Sequence, residues 1–240
     1  MRVDLEGKTV VIVGASSGIG LASARAAAAR SAKVVMLSRS QAKLDQAAGT
    51  IDGGDVQRFA MDMLDAAQVE RVVGSLGKIH HLVLTAVADE LGSRAPIQSL
   101  TNEQVERTFD KLRGFVNVTR AAAANLDTGG SVTLLTGASA VKPPAEGFTA
   151  LAAASASILG FGKALALELA PVRVNVVLAG VVDTPIHAAT RDATKVWAEK
   201  TLPTRRFGQA DDIADAITFL QSNPYVTGSV LTIDGGLTAL

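Results

Sequence analysis

The chain has 240 residues, 48% of them hydrophobic, with 23 Lys plus Arg against 23 Asp plus Glu and no cysteine. A chain of this length can bury about three-quarters of its unfolded surface in one core, so a single domain over residues 1–240 is expected. The even charge balance, with no basic run, argues against a nucleic-acid or anionic-membrane surface. Absence of cysteine excludes disulfides, thiolate metal sites and a cysteine nucleophile. Met1 to Glu6 alternates charged and apolar residues without the apolar core of a signal peptide, so a cytoplasmic location is expected.

Val10–Val13 is an uninterrupted β-branched run, as expected of a central parallel strand covered on both faces. It leads into G-A-S-S-G-I-G, and an alanine-rich helix follows over about Ile19 to Arg30. Gly14, Gly18 and Gly20 allow positive φ, close approach of a ligand to bare backbone, and tight packing of helix on strand. The helix amino terminus favours negative charge at the same spot. Together these predict a seat for a dinucleotide pyrophosphate, with Ser16, Ser17 and Ile19 in the loop beside it.

Strands and helices then alternate. Strands are predicted at Lys33–Ser38, Val56–Met61, His81–Ala86, Ser131–Thr136, Arg173–Leu178 and Val230–Ile233, and short helices at Gln41–Ala48 and Ala66–Leu76. A long helix is expected from Asn102 to Asn125, capped by Thr101 or Asn102 with Glu103 in its first turn. The uncharged stretch Gly147–Gly162 is shorter than a bilayer span and is expected to open a buried helix running to Leu169. A polar loop with a helical piece covers Thr184–Lys200, and a helix follows at Asp211–Gln221. Seven strands joined by helical crossovers predict an α/β doubly wound parallel sheet of Rossmann type, with ligands at the carboxyl ends of the strands.

Over nearly its whole length the sequence resembles the short-chain dehydrogenase/reductase family. D-L-E-G-K-T-V-V-I-V-G-A-S-S-G-I-G-L-A at Asp4–Ala22 matches the family's opening, with Val13 where a threonine is usual. V-N-V-V-L-A-G-V-V-D-T-P at Val174–Pro185 matches the segment beside the nicotinamide, with Ala179 in place of the usual proline. R-F-G-Q-A-D-D-I-A at Arg206–Ala214 and Y-V-T-G-S-V-L-T-I-D-G-G at Tyr225–Gly236 match the closing signature. The resemblance implies coenzyme contacts from Asp62 and Met63 to adenine, from Thr85 and Ala86 after the fourth strand, and from Gly180, Val182 and Thr184 near the nicotinamide. It also implies a homodimer or homotetramer built through the two long helices.

At the end of the second strand an acidic residue would bind ribose hydroxyls and repel a 2′-phosphate. This chain has Ser38 and Arg39 there. A guanidinium grips phosphate bidentately, which favours NADP(H) over NAD(H) and calls for no metal. The plainer alternatives are a solvated Arg39 in a turn and an Asp62 that only caps its strand.

The resemblance breaks at the catalytic positions. Family members carry a tyrosine that protonates the developing alkoxide, a lysine one helical turn on, an upstream serine and an asparagine on the preceding helix. Registered on L-G-F-G-K-A-L-A-L-E-L-A at Leu159–Ala170, the tyrosine position falls on Leu151 and the lysine position on Ser155. The serine position falls on Ala138 or Gly137, and the asparagine position on Lys111. The single tyrosine, Tyr225, lies far downstream. Losing a general acid costs about 10²–10⁴-fold in rate.

Three functions stay open. One is an NADP(H)-dependent oxidoreductase with a rewired site, acting on a small carbonyl, imine or alcohol. Lys111, Ser139 and His187 are its candidate catalytic residues, with Thr136 and Glu146 bordering the pocket, and an iminium substrate needs no external acid. Against this, Lys111 can turn outward to Asp110 or Glu106, and His187 can face water. The second is a catalytically silent NADP(H)-binding protein that senses or scaffolds. The third is a structural subunit that binds no nucleotide.

Overall fold

The computed structural model describes residues 5–87, 92 and 94–240. Met1–Asp4, which carries the start of the leader expectation and of the opening motif, lies outside the described residues. Seven strands form one parallel sheet: β1 (Thr9–Val13), β2 (Lys33–Ser38), β3 (Asp55–Ala60), β4 (Ile79–Leu84), β5 (Leu126–Gly137), β6 (Arg173–Ala179) and, last in the chain, β9 (Val230–Ile233). Between β6 and β9, the two-residue strands β7 (Val182–Asp183) and β8 (Gly208–Gln209) pair with each other in a separate parallel sheet that the sequence pattern does not announce. The order β3-β2-β1-β4-β5-β6-β9 reverses direction between β1 and β4, where a doubly wound sheet opens its ligand crevice.

Helices α1 (Gly18–Ala28), α2 (Gln41–Ala48), α3 (Ala66–Val73), α4 (Asn102–Thr108), α5 (Asp110–Ala122), α6 (Thr149–Glu168), α7 (Arg191–Thr201) and α8 (Ala210–Ser222) complete the frame. The alternation of β1 feeds two cores at once. Val11 and Val13 join Phe115, Val118 and Ile158 on one face, while Val10 and Ile12 join Ala24, Leu44 and Ile217 on the other. That two-sided burial is why these strands read as unbroken apolar runs.

The helix expected over Asn102–Asn125 is broken at Phe109, which sits at φ −86°, ψ 0° between α4 and α5. Thr108 Oγ1 back-bonds to the Gln104 carbonyl at 2.6 Å, and the Phe109 amide turns to the Glu106 carbonyl at 3.1 Å, tightening the last turn. Thr101, not Asn102, is the amino-terminal cap, in a capping box with Gln104. The fourth strand ends at Leu84, so Thr85 and Ala86 belong to the loop beyond it.

The helix expected to be buried, α6, is buried on one face only. Leu151, Ala154, Ser155, Ile158, Gly162 and Leu165 are inside, while Leu167 is 82% exposed. Although α6 is long and apolar enough to cross a bilayer, it is seated on the sheet: a Cβ at Gly162 would fall 3.4 Å from Leu134 Cδ1 and against Val176.

At the amino-terminal edge of the sheet, His81 is buried with Nδ1 2.9 Å from Ser131 Oγ. Burial first, then the positive charge of Arg173, lowers its pKa from 6.5 to about 4. The unfolded chain therefore binds a proton that the folded chain refuses. This contribution to stability is complete above pH 6.5 and is lost as the pH falls toward 4. We expect His81→Gln to shrink the loss of unfolding free energy between pH 7 and pH 4.5 by about 2 kcal/mol, measured by urea titration of both proteins at both pH values.

Candidate functional site

A cleft of about 470 Å³ lies at the carboxyl ends of β1, β2, β4, β5 and β6. Its floor is the turn from β1 into α1. Gly14 and Gly18 hold φ of +94° and +51°, and a Cβ on Gly14 would come within 2.6 Å of the Ala86 amide nitrogen. Gly20 serves a different purpose: a Cβ there would press into the Gly14 carbonyl and reach 2.7 Å from Thr85 Oγ1. Thr85 in turn donates Oγ1–H to the Val13 carbonyl at 2.9 Å, tying the ends of β1 and β4 together.

Ser17 is the amino-terminal cap of α1, yet its side chain makes no capping hydrogen bond. The amides of the first turn thus point into the cleft without a side-chain acceptor, in the geometry that binds an anion. Ser16 and Ile19 line the same wall, and Ser16 Oγ lies 3.0 Å from Ser38 Oγ. A dinucleotide pyrophosphate fits this cradle, which the described residues leave open to the cleft.

The end of the cleft where the resemblance leads one to expect adenosine is built from the end of β2 and from the loop after β3. Ser38 and Arg39 line it, joined by Ser40 and Lys43 at the start of α2. Lys43 is missing from the sequence-level candidates. Its backbone amide donates to the Ser40 side chain at 3.4 Å at the start of α2. Asp62 and Met63 line the facing wall. Asp62 Oδ1 accepts the Leu64 amide at 2.9 Å, so its carboxylate caps a turn and borders the cleft at once.

The other end of the cleft holds the candidate catalytic residues. Thr136, the penultimate residue of β5, donates Oγ1–H to the Ser155 carbonyl at 2.9 Å, while Ser139 Oγ donates to Ser155 Oγ at 3.1 Å. Leu151, one turn earlier on α6, is 6% exposed and presents an apolar surface to the same space. Gly180, Val182, Thr184 and His187 close the far side. Gly180 admits no Cβ because Asp234 Cα would be 2.6 Å away.

Lys111 reaches the cleft because α5 is pressed onto the loop after β3. Gly114 abuts Met63, where a Cβ would be 2.5 Å from its side chain, and Asn117 Nδ2 donates to the Met63 carbonyl at 3.0 Å. The ammonium lies 5.7 Å from the centre of the Phe115 ring. Asp110, the first ion-pair partner considered for Lys111, bonds Arg113 at 2.7 Å. His187 stacks edge-on against Phe207, with centroids 6.0 Å apart, and burial holds its imidazole below the ordinary value against the opposing pull of Asp183. Glu146, expected to border the pocket, is exposed and does not line it. Its place before α6, past Pro143 and Pro144, carries it outward. Tyr225, the one tyrosine of the chain, is 97% exposed on the loop before β9.

Residues 14–238 match a family model described as enoyl-(acyl carrier protein) reductase. The chain belongs to the short-chain dehydrogenase/reductase family. A short-chain dehydrogenase/reductase of an Acremonium species, ucsE, is 35% identical over 255 residues, covering 97% of this chain and 96% of that protein. A human 3-oxoacyl-[acyl-carrier-protein] reductase is 31% identical over 238 residues, covering 96% and 98%. Among solved structures, a short-chain oxidoreductase of Pseudomonas aeruginosa PAO1, described as containing an atypical catalytic center, superposes with a TM-score of 0.89 at 26% identity over 98% of both chains. Members of this oxidoreductase family bind nicotinamide dinucleotides.

The short-chain dehydrogenase/reductase cradle leaves no volume for a methyl group at Gly20. Gly20→Ala is expected to destabilise the protein by about 2 kcal/mol through overpacking, seen as a lower midpoint in thermal unfolding.

Proposed function

We propose that the protein is an NADP(H)-dependent oxidoreductase that moves hydride to or from a small substrate without a phenolic proton donor. The observation that carries this is the bare Gly14–Gly20 cradle under an uncapped helix start, with Arg39 and Lys43 together at its adenosine end. Two cations and the hydroxyls of Ser38 and Ser40 suit a 2′-phosphate, and no carboxylate stands at the end of β2 to repel it. When bound, the coenzyme supplies the hydride.

The chain's own residues would then orient the substrate. Ser139 and Ser155 form a linked hydroxyl pair that can hydrogen-bond a carbonyl or imine, and Leu151 excludes water from the position where the family carries its tyrosine. Lys111 and His187 line the same cleft. A substrate that is already cationic at the acceptor carbon becomes neutral on receiving hydride and requires no proton. An iminium therefore suits this site better than a ketone. The solved relative described as having an atypical catalytic center supports a family member of this kind.

A silent coenzyme-binding role is the second reading, favoured by the hydrogen bond that Ser139 and Ser155 already make to one another. Turnover screens over ketones, imines and secondary alcohols separate the two, and failure to bind either coenzyme would overturn both. For the oligomer, the outward small residues Ala153, Gly160 and Ala164 of α6, beside exposed Leu167, support pairing of two copies through this helix.

Arg39→Ala is expected to weaken NADPH about 10–100-fold, as measured by calorimetry, with NADH affinity unchanged. The double substitution Leu151→Tyr with Ser155→Lys should create ketone reduction that the natural chain lacks, followed by NADPH oxidation. Absence of that gain in a folded, NADPH-binding variant would show that more than the proton donor has been lost.

A further inference from the structure

The chain ends in a tight turn organised by one carboxylate. Asp234 Oδ1 accepts the Gly236 amide at 2.8 Å, and Oδ2 accepts both the Thr238 amide and its hydroxyl at 2.7 Å. These bonds hold the carboxyl below its ordinary pKa although burial opposes them. Gly235 and Gly236, at φ +64° and +87°, let the turn lie directly on the base of α7: a Cβ on Gly235 would be 2.6 Å from Thr204 Oγ1, and one on Gly236 would be 2.5 Å from Pro203. The Thr204 amide donates to the Gly235 carbonyl at 3.2 Å.

From this turn, two connections run to opposite walls of the cleft. Leu237 packs on the small cluster of Ala198, Leu202 and Phe207, and Phe207 is the ring that meets His187. The Leu237 carbonyl accepts Lys142 Nζ at 3.0 Å. Lys142 closes the short turn that carries Ser139, its amide bonded to the Ala138 carbonyl at 2.8 Å. The segment between, residues 184–207, is held at its two ends by the β7–β8 pair and by the two-point Arg206–Asp212 bridge at 2.6 and 2.7 Å. Within it, α7 buries only Ala198. A helix with so little of its own packing takes its position from what holds its base.

We propose that the carboxyl-terminal turn, Asp234–Leu240, is a staple that sets the spacing between the Ser139 wall and the His187 wall, with Lys142 as the positioning residue that joins them. The consequence for turnover rests on the oxidoreductase function proposed above. The mechanical coupling does not.

Trp197, the one tryptophan of the chain, sits on α7 and reports the coupling without any ligand. In Lys142→Met, which keeps the side-chain stem but removes the donor, acrylamide quenching of Trp197 is expected to rise about twofold and its anisotropy to fall. Hydrogen exchange should quicken across residues 187–204, and Lys142→Arg should restore both signals. Asp234→Asn should shift them in the same direction as Lys142→Met, and it stands in should Lys142→Met fail to fold. Unchanged quenching and exchange in the folded variants would overturn the staple. NADPH titration of the same proteins separates the two ideas. Loss of binding in the natural chain would defeat the coenzyme function while leaving the Trp197 result to decide the coupling. If turnover is found, Lys142→Met should lower kcat/KM about tenfold, because the spacing of the Ser139 and His187 segments changes.

Discussion

The structure depends on a backbone-to-backbone approach at the end of β1. Gly14 lies against Thr85 and Ala86, Gly20 lies against Gly14, and there is no volume for a side chain at either glycine. This convergence brings the start of α1, the end of β4 and the end of β2 to one point, and every wall of the cleft is measured from it. Because the space is kept clear by three glycines rather than filled by side chains, backbone amides and a helix dipole are the groups presented to a ligand. An anion held this way is recognised by position, with little dependence on any single polar side chain.

The two ends of the cleft are built on different principles. The end beside the Gly14–Gly20 turn is a product of the sheet, where strand register and glycine turns leave few alternatives. The opposite end is assembled from segments far apart in the chain: a turn after β5, the first turns of α6, and α7, a helix that buries one residue. Such an end must be ordered by contacts from elsewhere in the chain, and the Asp234 turn provides them at both walls.

Buried polar groups mark where the fold is least tolerant. Arg173 donates to the carbonyls of Leu220 and Gln221 at 2.6 and 2.9 Å, satisfying the end of α8 from inside the sheet. Beside it, burial and the Arg173 charge keep His81 neutral well below pH 6.5. His81 sits toward the amino-terminal ends of the strands, away from the cleft at their carboxyl ends, so its protonation bears on stability.

Much of the architecture was legible in sequence because the signals are local. Unbroken apolar runs placed six of the seven sheet strands to within two residues, while β5 begins five residues earlier than expected, and the glycine spacing marks the turn from β1 into α1. The boundaries of α2, β2 and β9 coincide with those expected. The break at Phe109 was not legible, since it arises from Thr108 bonding back to its own helix under burial, and the one-sided exposure of α6 follows from which face met the sheet. Likewise, the sequence alone pointed to Lys111, Ser139 and His187 as candidates and registered Leu151 and Ser155 at the positions where the family resemblance expects a tyrosine and a lysine. Only the tertiary structure turned all five into one cleft, left Glu146 outside it, and linked Ser139 to the chain's last turn through Lys142. The physical reason is range: strand, helix and turn preferences are written within a few residues, whereas the spacing of two cleft walls is decided by contacts between segments that lie up to 95 residues apart.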